Sequence, residues 1–397
     1  MADDNAWLLR NYLSAYSVFG DDFYREIAAG IITFLRDVLS DPEGGFYMSQ
    51  DADVTPDDEG GYFTWTDDEL RGVLTDEEYQ LISLHLLHEE GAMHHDTSKK
   101  VLFPGVRAEK MAERSGRPVS EVLDIIHRGK EKLLRARNNR EAPFIDRTLY
   151  TSINGMLISV FLNGFRILND IELKNFAIKS LDRILELRLI NNELYHTENV
   201  SALLDDYAYL TEALLAAYEV TGNAAYIAKA EELIHTCLDK LWDRDQGGFF
   251  DTDNHLLGMS IKAVEDMPQP SANSVCIRLL LKLFSVTGNN VYRQRAEDAL
   301  RFFSVKAGEI GIHAGYYFSS LDAYYHHLKL TLHARPGSVL SGTAVSMCIP
   351  YSDIMYDQDK GYVVPCIGNV CYNPIDDPGA LKDFLNNRRH AGNGISE

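Results

Sequence analysis

The sequence predicts an all-α protein: a barrel of helical hairpins in two concentric layers, with short β-hairpins in its mouth loops and a small C-terminal α/β appendage. Three observations predict it. A helix-turn-helix unit recurs along the chain. Within each unit the first helix is apolar almost all round, whereas the second is apolar on one side only. The connections alternate between tight turns and long loops.

The repeat is clearest when DNAWLLRNYLSAYSVFGDDFY (4–24) is set beneath DYAYLTEALLAAYEVTGNAAY (206–226). Asp4 falls on Asp206, Leu8 on Leu210, Tyr16 on Tyr218, Gly20 on Gly222 and Tyr24 on Tyr226. Two weaker copies span 153–187 and 271–303. First helices at 153–168, 205–220 and 273–286 have no wet face and form an inner ring. A second helix such as 224–242 carries one apolar stripe (Tyr226, Ala230, Leu233, Cys237, Leu241) and packs behind the ring. An open solenoid would alternate in the same way, so closure into a barrel is an inference beyond the alternation itself.

Inner-to-outer turns are short and carry Gly or Asn-Asp (FGDD, LNDI, TGNA, TGNN), while outer-to-inner connections at 40–66, 188–204 and 243–270 are long. All long loops therefore gather at one end, where function usually sits on a rigid scaffold. Residues 67–137 depart from the repeat and read as two helices around a polar insert. After residue 328 the period changes: LKLTLHA and GYVVPCIGNVCYNP read as strands and DPGALKDFL as a short helix. The expected division is a barrel over 1–328 and a small segment over 329–397 packed on it.

The formal net charge of -21 argues against nucleic acid and anionic membrane as partners. No apolar run is expected to span a bilayer. Five cysteines, an odd number without C-x-x-C, fit a reducing compartment and a cytoplasmic chain. Cys366 and Cys371 in CIGNVC read against a redox or metal pair, and reductant is expected to leave stability unchanged. No cofactor and no metal is expected, because no phosphate-binding, dinucleotide or zinc fingerprint occurs.

Both Gly-Gly-aromatic segments, PEGGFYMSQDADVTPDDEGGYFTWT (42–66) and DQGGFFDTDN (245–254), fall at the long-loop end. Asp51 and Asp53, two apart, share one face if the backbone is extended. Asp205 and Asp206 open an inner helix, where one of them also serves as a cap. These four are the candidate catalytic carboxylates, since acids in unlike environments divide proton-transfer roles. Clustered there, at least one should have its pKa raised towards neutrality. Phe46, Tyr62, Trp65 and Phe250 supply aromatic faces. Asn154 and Asn273, at equivalent inner-helix starts, read either as caps or as groups for ligand hydroxyls. His196, His255 and His313 are candidate proton shuttles, with His196 placed among the ligand-contacting residues.

At this point the ordered motifs GGFYMSQDAD, EGGYFTWTDDEL, FIDRTLYTSINGMLIS, LLDDYAYLTEALLAAYEVTG, GGFFDT, MPQPSANSV and YVVPCIGNVCYNPIDDP resemble a known family across nearly the whole chain. It comprises the thioredoxin-domain proteins related to the spermatogenesis-associated thioredoxin-like protein. The resemblance implies an (α/α)6 barrel similar to N-acylglucosamine 2-epimerases and six-hairpin glycosidases. It also implies a thioredoxin-like domain as partner, absent here, so that the chain looks like the barrel part alone. One departure stands at Ile153-Asn154, where the family carries tryptophan-asparagine. Among barrels of this kind, unsaturated glucuronyl hydrolases use paired aspartates and 2-epimerases use histidines. The resemblance thus implies a small sugar-like ligand and a hydrolase- or epimerase-like activity on a sugar or uronic acid, the abundance of aspartates tilting towards hydrolysis. The alternative is a non-catalytic ligand- or protein-binding barrel that accompanies the thioredoxin-like domain.

Overall fold

The computed structural model describes residues 1–253, 261–368 and 370–391. The chain forms two compact units, Met1–Met48 with Arg147–Glu397, and Ser49–Asp146. This division differs from the boundary expected at 328/329: residues 329–397 belong to the first unit, and the separate unit lies within the first 150 residues.

In the first unit the repeat is realised as helical hairpins. Inner helices Ala2–Phe19, Thr151–Leu168, Leu204–Thr221, Ala272–Thr287 and Gly315–His326 each pack on the next. An edge contact of Trp7 on Tyr316, 6.1 Å between ring centroids, joins the last to the first. Outer helices Asp22–Asp37, Ile171–Arg188, Ala224–Leu241 and Asn290–Ile310 lie behind their inner partners. This is the concentric two-layer α/α arrangement predicted. The tight turns follow local chemistry. Gly20, Gly222 and Gly288 end their inner helices in the left-handed region, and Asn169 does the same. Asp21, Asp170, Asn223 and Asn289 then cap the outer helices through their side chains.

Thr151–Leu168 is buried without interruption from Thr151 to Leu162. It is long and apolar enough to cross a membrane by composition, contrary to the sequence expectation, but 72% of it is buried inside the fold. It lies close against a neighbour at Gly155, where a Cβ would stand 2.5 Å from the Tyr209 carbonyl carbon.

The C-terminal strands form one sheet, ordered Val370–Cys371, Tyr362–Ile367, Leu328–His333, Ser352–Tyr356, the last pair parallel. The Ser352–Tyr356 strand was not foreseen. Cys366 and Cys371 face each other across the hairpin and are disulfide-bonded. This corrects the expectation of a chain without disulfides.

The second unit has helices Asp67–Val73, Asp76–Leu86, Ala108–Ser115 and Val119–Asn138, two more than the sequence suggested. They surround a core that includes Trp65, Leu70, Ile82, Met111, Val122 and Ile126. Ser49–Gln50 pairs antiparallel with Ile145–Asp146, so the two ends of the unit are zipped together.

Candidate functional site

The site is built on the starts of the inner helices in the first unit. Asp206, fully buried, accepts hydrogen bonds from its own helix start (Leu203 N, 2.8 Å) and from the neighbouring helix start (Ser152 N, 2.9 Å). His196, on the strand Glu193–Thr197, sets Nδ1 at 2.9 Å from both Asp206 oxygens. That hydrogen bond raises the His196 pKa against the opposing effect of burial. The Tyr150 ring lies 5.0 Å from the imidazole. Asp206 is thus a shared cap that also orients a histidine.

Asp205 is different. Its carboxylate has no side-chain partner among the described residues, and burial, then the charges of Asp206 and Asp251, push its pKa up to about 6. Asp251, whose backbone carbonyl accepts from Leu204 N (3.0 Å), is itself raised by burial. Of the four carboxylates named from sequence, Asp205 is the one whose environment suits proton donation near neutral pH.

Further along the inner helices, polar side chains pair between these helices. Arg10 donates from Nη1 and Nη2 to the two Glu212 oxygens at 2.9 and 3.0 Å, and its guanidinium carbon lies 4.5 Å over the Trp7 ring. Trp7 also meets Tyr209 edge-on at 6.3 Å. Deeper still, Glu219 accepts from Arg166 (3.2 Å) and pairs with Lys282 (2.8 Å). Sequence reasoning missed this set. The signal was available: Asp205, Tyr209, Glu212 and Glu219 are spaced four, three and seven apart, one stripe on an otherwise apolar helix.

Other expected site residues serve packing. Phe46 is fully buried, its ring 4.8 Å from Phe161 and 5.3 Å from Phe176, so it offers no face to a ligand. Asn154 accepts from Phe46 N (2.7 Å) and donates to Phe46 O (3.1 Å). Asn273 treats Phe249 identically, at 2.8 and 3.0 Å. Both asparagines are fully buried clamps on the Gly-Gly-Phe loops, not hydroxyl-binding groups. Phe250 is half-buried, with Lys262 Nζ 5.3 Å from its ring centre. His313 is an exposed residue whose carbonyl accepts from Asp266 N, and His255 lies outside the described residues.

Asp51, Asp53, Tyr62 and Trp65 belong to the second unit. The strand there ends at Gln50, so the extended backbone that would align Asp51 with Asp53 is not formed. Asp51 is exposed, and Asp53 accepts from Gly60 N at 2.8 Å within a turn. Trp65 is a core residue, 4% exposed, beneath the Arg140 guanidinium at 4.1 Å. Tyr62, 8% exposed, packs edge-on against Phe63.

Fold and site together define a helical α/α-barrel protein with an acid group at the loop end of its inner ring. The chain is similar to spermatogenesis-associated protein 20: 27% identical to the Homo sapiens protein over 453 residues, covering 97% of this chain and 57% of that one. The rat protein is 28% identical over 456 residues with the same coverage. The chain therefore spans little more than half the length of these relatives. No protein-family model matches it. Among solved structures, cellobiose 2-epimerase from Bacillus thermoamylovorans is 12% identical over 77% of this chain and 61% of that one, with a TM-score of 0.45. An α-mannanase of glycoside hydrolase family 76 from Bacteroides thetaiotaomicron is 17% identical over 47% and 54%, with a TM-score of 0.38. Likenesses this distant carry no functional assignment.

Proposed function

We propose that the loop end of the inner ring binds a sugar-class, polyhydroxylated ligand and performs acid–base chemistry on it. The observation that carries this reading is Asp205: a shielded carboxyl raised to about 6, without a side-chain partner among the described residues, next to an oriented histidine. A group of that pKa holds its proton for an appreciable fraction of the time near neutrality and donates it to a leaving oxygen or a sugar carbon. His196 complements it. With Nδ1 engaged by Asp206, Nε2 is the ring nitrogen left to take a proton, and the carboxylate stabilises the imidazolium that results.

A panel of glycosides, uronic acids and reducing sugars, assayed for both bond cleavage and epimerisation, tests the reading. Asp205→Asn should abolish whatever turnover the native chain shows and keep its ligand binding. Ligand binding without turnover in the native chain identifies the barrel as a binding module. Binding and turnover both unaffected by Asp205→Asn place the site elsewhere.

A further inference from the structure

Among the described residues, the cations of the inner helices are matched with acceptors, with one exception. Arg10 is held by Glu212, Arg166 by Glu219 and the Val345 carbonyl, and Lys282 by Glu219. Arg278, one turn before Lys282 on the same helix, is half-buried yet makes no hydrogen bond or ion pair among the described residues. Its guanidinium carbon stands 5.0 Å from the centre of the Tyr351 ring. Its charge acts on Tyr316, which packs on Trp7, and on His327.

A guanidinium presents five N–H donors in a fixed fork suited to carboxylate and phosphate. Shielding it from water without an acceptor costs free energy, and ring stacking satisfies none of those donors. The neighbouring cations show that this helix ring supplies an acid wherever one is needed for stability. We propose that Arg278, resting on Tyr351, is an anion-holding subsite of the candidate site described above, and that the ligand is an acidic sugar bearing a carboxylate or a phosphate ester. The inference rests on the sugar-binding reading and sharpens it. Geometry fits the span. Arg278 is the seventh residue of its helix and Asp205 the second of its own, both helices starting at the mouth. The difference of five residues is roughly 7.5 Å along the axis at 1.5 Å per residue. Along the axis alone, that offset is within the reach of one sugar ring with a charged substituent. The chain's overall negative charge slows the approach of such a ligand without altering the pairing inside.

Titration calorimetry of the full chain with D-glucuronate, D-glucose 6-phosphate and D-glucose tests this, using native protein, Arg278→Gln and Arg278→Lys. One of the two anions should bind native protein about tenfold or more tighter than glucose, as expected for a charge-assisted pair. Which one does so distinguishes carboxylate from phosphate. Arg278→Gln should erase that preference and leave glucose binding as it was, Arg278→Lys should keep part of it, and melting curves establish that both variants fold. Glucose bound as tightly as either anion by native protein, or a preference that survives in Arg278→Gln, overturns the subsite while the sugar-binding reading stands. If none of the three sugars binds, that reading falls and the subsite with it.

Discussion

Asp205 and Asp206 are adjacent in sequence and opposite in circumstance, because successive helical residues point about 100° apart. Asp206 turns into the packed helix starts and accepts three sets of hydrogen bonds, while Asp205 accepts none from a side chain among the described residues. A carboxyl whose folded pKa is raised to about 6 penalises folding wherever it is ionised in both states. The penalty is full above the folded value, fades as pH falls through it, and vanishes below the unfolded value of about 3.9. Asp205→Asn should accordingly stabilise the protein by up to about 3 kcal/mol at pH 7.5 and change little at pH 4, read by denaturant titration at both values. The His196–Asp206 pair runs the other way. A histidine pKa raised by its partner contributes stability that is present at low pH and lost as pH rises through the folded value. Asp206→Asn replaces one of the two acceptor oxygens with a donor, which then faces either the Ser152 or the Leu203 amide beside His196. It should cost about 2–4 kcal/mol at neutral pH by the same titration. The sequence shows that two acids open this helix. It does not show which is spent as a cap, because that depends on the strand carrying His196 and on the neighbouring helix.

At the scale of elements, the inner helices were legible from their all-round apolarity, and their ends fall within two residues of those expected. What periodicity could not assign was the purpose of the asparagines at their starts. An Asn at such a position reads equally as a cap or as a ligand group. Only the folded loop shows Asn154 and Asn273 gripping both backbone atoms of a phenylalanine. Gly155 makes the same point for packing. In sequence it is a weak spot in a helix, but in the fold it lets Thr151–Leu168 lie against the Tyr209 backbone. An added methyl would meet main-chain atoms of a neighbouring inner helix, which cannot step aside as a side chain can. Gly155→Ala should therefore lower stability by about 2–4 kcal/mol despite alanine's better helix propensity. A reduced thermal midpoint measures it, and a midpoint at or above that of the native chain would show that the two helices separate at little cost.

For the whole molecule, the two-layer arrangement of helical hairpins and two of the C-terminal strands were legible. The extent of the second unit was not: the departure at 67–137 shows in the sequence, but which residues pack into its own core, and that the unit runs from 49 to 146, shows only in the fold. The disulfide was equally hidden. Five residues between cysteines says nothing until the register places Cys366 opposite Cys371. Closing so short a loop contributes about 2 kcal/mol through the unfolded state. Reduction with dithiothreitol should lower the thermal midpoint, and Cys371→Ser should match the reduced protein. Equal midpoints in both redox states would mean that the hairpin forms as readily without its bond.

The pairing of Ser49–Gln50 with Ile145–Asp146 has a broader consequence. Antiparallel partners in a ladder sit about 5 Å apart, so the chain leaves the helical repeat and returns to it at nearly the same place. The Asn154 clamp on Phe46 fixes the loop just before that departure. To the repeat, nearly a hundred residues are then topologically equivalent to a single reverse turn: the Ser49–Asp146 segment is a cassette. Joining Met48 to Arg147 through a few glycines should leave the hairpins folded, with an intact cooperative melt by circular dichroism. The same junction is where foreign sequence can be spliced in at least cost, because an insertion there stretches no bond of the helices it interrupts.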